Sequence, residues 1–102
     1  MTAEPQSHAR HRLAEPLIHP VRLSIVAALA TVDEAEFSLV RDTVEVSDSV
    51  LSKQASLLAA SKYVALRKGY VGVRPRTWMR LTPRGREALR QHLEALREIA
   101  GD

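Results

Sequence analysis

The chain has 102 residues, of which 45% are hydrophobic and 26% are charged, a balance that indicates a single folded domain and argues against disorder. It contains no cysteine, so disulfide bonds and thiolate metal sites are excluded together. The polar first twelve residues do not form a signal peptide and no apolar run could span a bilayer, so we expect a cytoplasmic protein.

Positive charge is concentrated in one part of the sequence. Residues 1–61 carry five basic and eight acidic side chains, whereas residues 62–90 carry nine basic side chains and the single acid Glu87. A well-mixed solvated surface would not separate charge in this way. The basic block therefore favours a surface that faces a polyanion such as nucleic acid, and a merely basic face is the other interpretation.

The first helix is predicted from apolar periodicity. Pro16 and Pro20 interrupt the pattern, so the main helix should run over residues 20–30 after a short lead-in. An apolar residue recurs every four positions at Leu13, Leu17, Val21, Ile25 and Leu29.

Two further helices follow. The second is predicted over residues 37–44 with Ser38 as its N-cap. After a tight turn, Ser47 or Asp48 caps a third helix that ends near Ser61. Apolar side chains at helical spacing should turn one face of this third helix to the core, namely Leu51, Ala55 and Leu58.

The hydrophobic period then changes from that of a helix to that of a strand. Residues 63–68 and 76–81 have strand character, and residues 69–75 between them contain glycine, proline and arginine, which predicts a hairpin around a basic loop. Thr82 and Pro83 form a strong start signal for a last helix.

This order of elements predicts a mainly α fold with a small β-hairpin, the winged helix-turn-helix. It would comprise a three-helix core, a two-stranded wing and a C-terminal dimerisation helix. We expect residues 1–12 to form a flexible arm, residues 13–98 to form the domain, and residues 99–102 to form a tail.

The third helix is the candidate DNA-reading element, because an α-helix fits the major groove of B-DNA. Its solvent face is small or basic and carries no carboxylate after Asp48, which favours DNA contact over a merely solvated face. Lys53 could reach a guanine edge or a phosphate, Gln54 an adenine and Val50 a thymine methyl group. The candidate reading residues are Ser49, Val50, Ser52, Lys53, Gln54 and Ser56.

The hairpin and its flank are the second candidate DNA element, well placed to meet the backbone or enter a minor groove. Trp78 could pack in the hairpin or stack on a base, and packing is the favoured interpretation. The candidate wing and flank contacts are Lys68, Arg74, Arg76, Thr77, Arg80 and Arg84.

The last helix keeps an apolar stripe that is longer than a small core can use. Together with apolar residues before the first helix, this stripe predicts an isologous homodimer interface. The candidate dimerisation residues are Leu13, Leu17, Ile18, Leu89, Leu93 and Leu96.

Four stretches together resemble bacterial winged-helix transcriptional regulators related to the MarR and ArsR families. They are HPVRLSIVAAL at 19–29, FSLVRDTVEVSDSVLSKQASLLAASKYV at 37–64, GYVGVRPRTW at 69–78 and LTPRGREAL at 81–89. The resemblance implies that the third helix reads the major groove, the wing meets the backbone and the terminal helices form a dimer. These roles would fall on Ser49, Val50, Ser52, Lys53, Ser56, Arg74 and Arg76.

The sequence thus predicts a dimeric, nucleoid-associated transcriptional regulator that binds double-stranded DNA. Most simply it is a repressor that binds a palindromic operator. A small-molecule effector of unassigned identity is a further candidate partner. We expect no metal, since the four histidines are scattered, no cofactor, and no enzymatic activity, since no phosphate loop or catalytic set is present. The alternative function is a protein-interaction module whose basic face docks an acidic partner. RNA binding is less favoured because exposed aromatic residues are few.

Overall fold

The structure, a computed structural model, describes residues 7–101 of the chain. Four α-helices and a small sheet follow one another in the order helix, strand, helix, helix, strand, strand, helix. The helices are α1 (Pro20–Leu29), α2 (Phe37–Val44), α3 (Asp48–Ala60) and α4 (Pro83–Ile99), and the strands are β1 (Ala35–Glu36), β2 (Val64–Val71) and β3 (Arg74–Leu81). The predicted fold class, mainly helical with a β-hairpin, is confirmed.

The chain before α1 is more ordered than the sequence predicts. Residues 1–6 of the expected arm lie outside the described residues, but Ala9–Arg12 forms a 3-10 turn packed against α4. Ala9 is buried, and the guanidinium of Arg12 pairs with the carboxylate of Glu98. A second 3-10 turn, Glu15–Leu17, leads into α1. The predicted domain start at residue 13 is therefore too late.

Local capping by side chains explains where α1 and α3 begin. His19 caps α1 by accepting a hydrogen bond from the Val21 amide at 3.1 Å, and Ser47 caps α3 by accepting one from the Val50 amide at 3.2 Å. The predicted cap of α2 was wrong: the N-cap is Glu36, which makes no side-chain capping bond. Glu36, the last residue of β1, directly precedes the helix, so Ser38 lies inside α2, two residues after the actual N-cap.

The sheet is antiparallel with strand order β1-β3-β2. The predicted loop over residues 69–75 was wrong in extent, because β2 and β3 stay paired as far as Val71 and Arg74. Only Gly72 and Val73 form the turn, with positive φ at Gly72 and none at Val73, the pattern of a type II′ hairpin. The wing is thus a long, closely paired ribbon with a two-residue tip.

The start of α4 is fixed to the start of the wing. The Thr82 hydroxyl accepts a hydrogen bond from the Gly85 amide at 2.9 Å and donates to the Lys62 carbonyl at 2.7 Å. Gly85 packs so closely that an added Cβ would lie 2.7 Å from Leu81 Cδ1 and would overlap the Tyr63 carbonyl oxygen. This junction sets the direction in which α4 leaves the domain.

The core lies between the helices and one face of the sheet. Two residues predicted for a dimer interface belong to it instead: Leu17 is completely buried, and Leu89 is 7% exposed. Their side chains fill space within the protomer, so both are removed from the interface prediction. The largest fully buried side chains are Leu17, Ile25, Leu29, Leu51, Leu58, Met79 and His92.

Among residues 7–101, no helix has the length and apolarity needed to cross a bilayer. Within the same range, no three histidine or acidic side chains come together as a metal site.

Candidate nucleic-acid interface

The solvent face of α3 carries five of the six predicted reading residues. Ser49, Ser52, Lys53 and Ser56 are exposed, and Val50 is 38% exposed. The opposite face holds Leu51, Ala55 and Leu58 in the core. The helix is therefore anchored along one side and free to meet a ligand along the other.

Gln54 corrects the prediction for this helix. It is only 8% exposed, and its Oε1 accepts a hydrogen bond from Arg22 Nη1 at 2.9 Å. A side chain that is buried and engaged within the domain cannot bond a base edge, so Gln54 is removed from the reading residues. Arg22 of α1, its partner, was not singled out from the sequence.

The first turn of α3 is tied to α2. Arg41 donates to Asp42 at 2.9 Å and to Asp48 at 2.8 Å. The Arg41 hydrogen bond holds the pKa of Asp42 below its usual value, and the two carboxylates raise the pKa of Arg41. Asp48, the only carboxylate of α3, is thereby partly neutralised beside the exposed serines.

The wing has two faces with different chemistry, because directly opposite residues in an antiparallel ribbon share a face. Lys68 pairs with Thr77 and Tyr70 with Pro75 on the face that turns towards α3. The other face carries three of the predicted arginines, Arg74, Arg76 and Arg80, together with Arg67 and Trp78. The predicted basic strip is therefore divided between two surfaces.

On the arginine face, acidic residues of the β1 segment neutralise part of the charge. Arg67 forms a bidentate bond with Glu34, at 3.1 and 2.7 Å, and its guanidinium lies 4.2 Å from the Trp78 ring centroid. The Arg67 hydrogen bond lowers the pKa of Glu34. Because the ring of Trp78 is covered in this way, the packing interpretation of that residue is favoured.

Arg76 is engaged in the same manner. Its Nε lies 2.6 Å from Glu36 Oε1, and it is only partly exposed. Among residues 7–101, no ion pair to a carboxylate involves the remaining predicted cations, which are Lys53, Lys68, Arg74, Arg80 and Arg84.

An open groove of about 880 Å³ separates α3 from the wing. Ser52 and Ser56 line one side of it, and Lys68, Tyr70 and Thr77 line the other. The predicted reading helix and part of the predicted wing thus border one continuous surface.

The remaining predicted interface residues lie at the surface of α4 and of the segment before α1. Ile18 is 60% exposed, Leu96 is 38% exposed, Leu93 is 36% exposed, and Leu13 is half-buried. Leu93 and Leu96 are three residues apart and so lie along one side of α4. Four of the six predicted dimerisation residues therefore remain available to a partner.

A three-helix core with a protruding helix and a paired wing defines a winged helix-turn-helix protein. The family model described as winged helix DNA-binding domain matches residues 21–100. The chain therefore belongs to the family of winged helix DNA-binding domains.

Solved structures share the fold. A transcriptional regulator homologue from Pyrococcus horikoshii OT3 has a TM-score of 0.83 and 24% identity, with 94% of this chain and 96% of that chain covered. A MarR-family regulator from Silicibacter pomeroyi has a TM-score of 0.64 and 20% identity, over 88% of this chain and 62% of that chain.

A further structure concerns the regulation of DNA binding by 6-hydroxynicotinic acid in Bordetella bronchiseptica BpsR. Its TM-score is 0.71 and its identity 15%, over 92% of this chain and 73% of that chain. No curated protein matches the sequence significantly.

Proposed function

We propose that this protein is a homodimeric transcriptional regulator, most simply a repressor, that binds a palindromic operator in double-stranded DNA. The observation that carries the proposal is the exposed face of α3, where small hydroxyl side chains surround Lys53 and the only carboxylate, Asp48, is held by Arg41. Such a face could approach the electronegative major groove without burying an unpaired carboxylate and without strong repulsion between a carboxylate and the DNA.

The reading residues divide by reach. Lys53 is long enough to bond a guanine edge or a phosphate, whereas Ser49, Ser52 and Ser56 require close approach of the helix. Val50 offers an apolar contact for a thymine methyl group. Because all five lie on one side of α3, they would face the same few base pairs.

The wing supplies contacts that do not depend on sequence. Lys68 borders the groove beside α3, and Arg74 follows directly after the two-residue tip. Lysine and arginine at these places suit phosphate oxygens or the narrow minor groove. Arg80 and Arg84, which are exposed at the end of β3 and the start of α4, would extend the positive surface along the backbone.

Dimerisation would use Ile18, Leu93 and Leu96, with Leu13 at the edge. A two-fold dimer presents two copies of α3, and half-sites about 34–36 Å apart, one turn of B-DNA, would match them. BpsR is a precedent for a fold neighbour whose DNA binding is regulated by a small molecule. We extend this to an effector of unassigned class for the present chain.

Selection of bound sequences from a random duplex pool, followed by a salt titration of the selected site, tests the proposal. We expect an inverted repeat whose affinity falls about 10³-fold or more between low and moderate salt. Lys53→Ala should weaken the selected site more than unrelated DNA. Lys62→Asn is the matched control, since it removes one charge just beyond α3 and asparagine tolerates the positive φ of 67° at this position.

Other results would point elsewhere. Salt-sensitive binding without sequence enrichment would contradict specific reading and leave a non-specific role. No binding to any duplex would contradict the proposal and favour a protein partner for the basic face.

A further inference from the structure

Arg22 of α1 joins two parts of the domain that have different tasks. Its Nε donates a hydrogen bond to the Pro16 carbonyl oxygen at 2.7 Å, and its Nη1 donates to Gln54 Oε1 at 2.9 Å. Pro16 lies in the second 3-10 turn, and Gln54 lies on the buried side of α3. One guanidinium thus connects the N-terminal segment to the helix proposed to read DNA.

This arrangement is not what stability alone would select. Arg22 is partly buried, and among residues 7–101 no carboxylate forms an ion pair with it. Replacing both partners of a hydrogen bond by apolar groups of the same shape can be nearly neutral for stability. The bonds of an arginine fork do, however, fix direction as well as distance, because the group is planar and its donors are rigidly arranged.

The N-terminal segment is itself held from the other side. The Ala14 amide donates to His92 Nδ1 of α4 at 3.0 Å, and Leu17 is completely buried. The next residue, Ile18, is 60% exposed and belongs to the proposed dimer surface. The N-terminal segment is therefore fixed relative to α4. Through its two hydrogen bonds, Arg22 fixes α3 relative to this segment.

We propose that Arg22 is a positioning residue that fixes α3 relative to the dimer surface and thereby sets the half-site spacing that the dimer accepts. The inference rests on the proposed function. Inserting one base pair moves the half-sites apart by about 3.4 Å along the helix axis and also rotates them. A firmly placed α3 rejects such a site, whereas an α3 that can shift tolerates it.

Two substitutions remove the connection in different ways. Arg22→Lys keeps the positive charge but gives a single ammonium group in place of the two-armed fork. Gln54→Met keeps the length of the side chain and removes the acceptor on α3. Arg86→Lys is the matched control, because Arg86 Nη1 also donates to a main-chain carbonyl, that of Ala30, at 3.1 Å.

The first measurement is affinity for the selected operator with its spacer changed by one or two base pairs in either direction. We expect the native protein and Arg86→Lys to prefer one spacer at least tenfold, and Arg22→Lys and Gln54→Met to prefer it threefold or less. Affinity for an isolated half-site should stay within twofold of native, which a general loss of folding would not allow. The double variant should lose no more spacer preference than either single one. Unchanged spacer preference in both single variants would overturn the inference.

A second measurement does not depend on DNA. Because the chain has no cysteine, the substitutions Glu15→Cys and Ala60→Cys allow a spin label to be attached at each of the two positions. The labelled protein is diluted with unlabelled protein, so that the measured distances between labels are those within one chain. We expect a narrow distance distribution that broadens in Arg22→Lys and Gln54→Met, and equal widths would overturn the inference. If the native protein binds no duplex, the proposed function fails, and the label widths still decide whether Arg22 positions α3.

Discussion

The Nε of Arg76 on β3 lies 2.6 Å from Oε1 of Glu36 on β1. Glu36 and Trp78 are directly opposite in the β1–β3 ladder, so the carboxylate projects from the same face of the sheet as the wing arginines. In the proposed complex with DNA, this carboxylate would compete with a phosphate group for the guanidinium of Arg76. Glu36 therefore moderates the charge of the wing, while β1 as a whole extends the sheet.

Glu36→Gln should strengthen DNA binding, because it releases Arg76 and removes a negative charge near the proposed backbone contacts. Gln is tolerated here since Glu36 makes no capping bond through its side chain. We expect affinity at low salt to rise about threefold to tenfold, in line with a surface ion pair of roughly 1 kcal/mol, and the salt slope to steepen by about one. Fluorescence anisotropy titrations at several salt concentrations measure both quantities.

Glu87→Gln is the control for net charge, since Glu87 also pairs with an arginine, Arg90, but lies on α4. Equal gains in the two variants would show that overall charge, and not the release of Arg76, is responsible.

Gly85→Ala should destabilise the fold. The new Cβ would overlap the Tyr63 carbonyl oxygen and lie 2.7 Å from Leu81 Cδ1. Relieving this overlap would require the main chain at the start of α4 to shift, which costs free energy. The strain outweighs the better helix propensity of alanine, so we expect a loss of about 1–3 kcal/mol in the free energy of unfolding. Urea unfolding measures it. Arg84→Ala, an exposed change one residue away, should stay within about 0.5 kcal/mol of native.

His92 should make stability depend on pH. Burial lowers the pKa of His92 from its usual value in the folded state, because the ring is almost without solvent. Its Nδ1 accepts a hydrogen bond from the Ala14 amide. A histidine with a depressed folded pKa binds its proton more tightly when unfolded. Stability is therefore complete above about pH 6.5 and falls as the pH drops below that value.

Urea midpoints at pH 7.5 and 5.5 test this, with His92→Asn as the variant that retains an acceptor and cannot titrate. We expect the native protein to lose more stability over this interval than His92→Asn does. His11→Asn, at an exposed histidine, should behave as native. A native pH dependence in His92→Asn would assign the effect to other groups.

Leu93→Glu or Ile18→Glu should separate the proposed dimer. Each places a carboxylate in the apolar surface, where it would lose solvation on association. We expect sedimentation to show the monomer mass at concentrations where the native chain is a dimer. Leu39→Glu, at a residue 58% exposed on α2, should leave the native mass unchanged. A native mass in both interface variants would place the dimer contact elsewhere.

The helices could be predicted because periodicity and caps agree locally, as at Pro20 and Thr82. Strand β1 could not, since its two residues have no pattern of their own and are defined by pairing with β3. The length of the wing was missed because Pro75 read as a loop residue. Proline is accepted there because β1 pairs only with residues 78 and 79, which leaves that edge of β3 open.

The candidate site could be predicted where helix geometry alone determines which side chains are exposed. The serine face of α3 follows from the positions of Leu51 and Leu58. The same geometry indicates that Gln54 faces the core, because it lies three residues after Leu51 and four residues before Leu58. Leu17 and Leu89 were misplaced for a different reason: a periodic apolar stripe does not tell which of its members fill the protomer and which remain for a partner.

The division of α3 into an anchored side and an exposed side has an evolutionary consequence. In the proposed function, substitutions at Ser49, Ser52, Lys53 or Ser56 would change what the helix recognises. The buried residues Leu51, Gln54, Ala55 and Leu58 would keep the helix in place. A duplicated copy of the gene could therefore acquire a new operator through a few surface changes, each acceptable to the fold by itself. Regulators of this kind can diversify their targets without passing through unfolded intermediates.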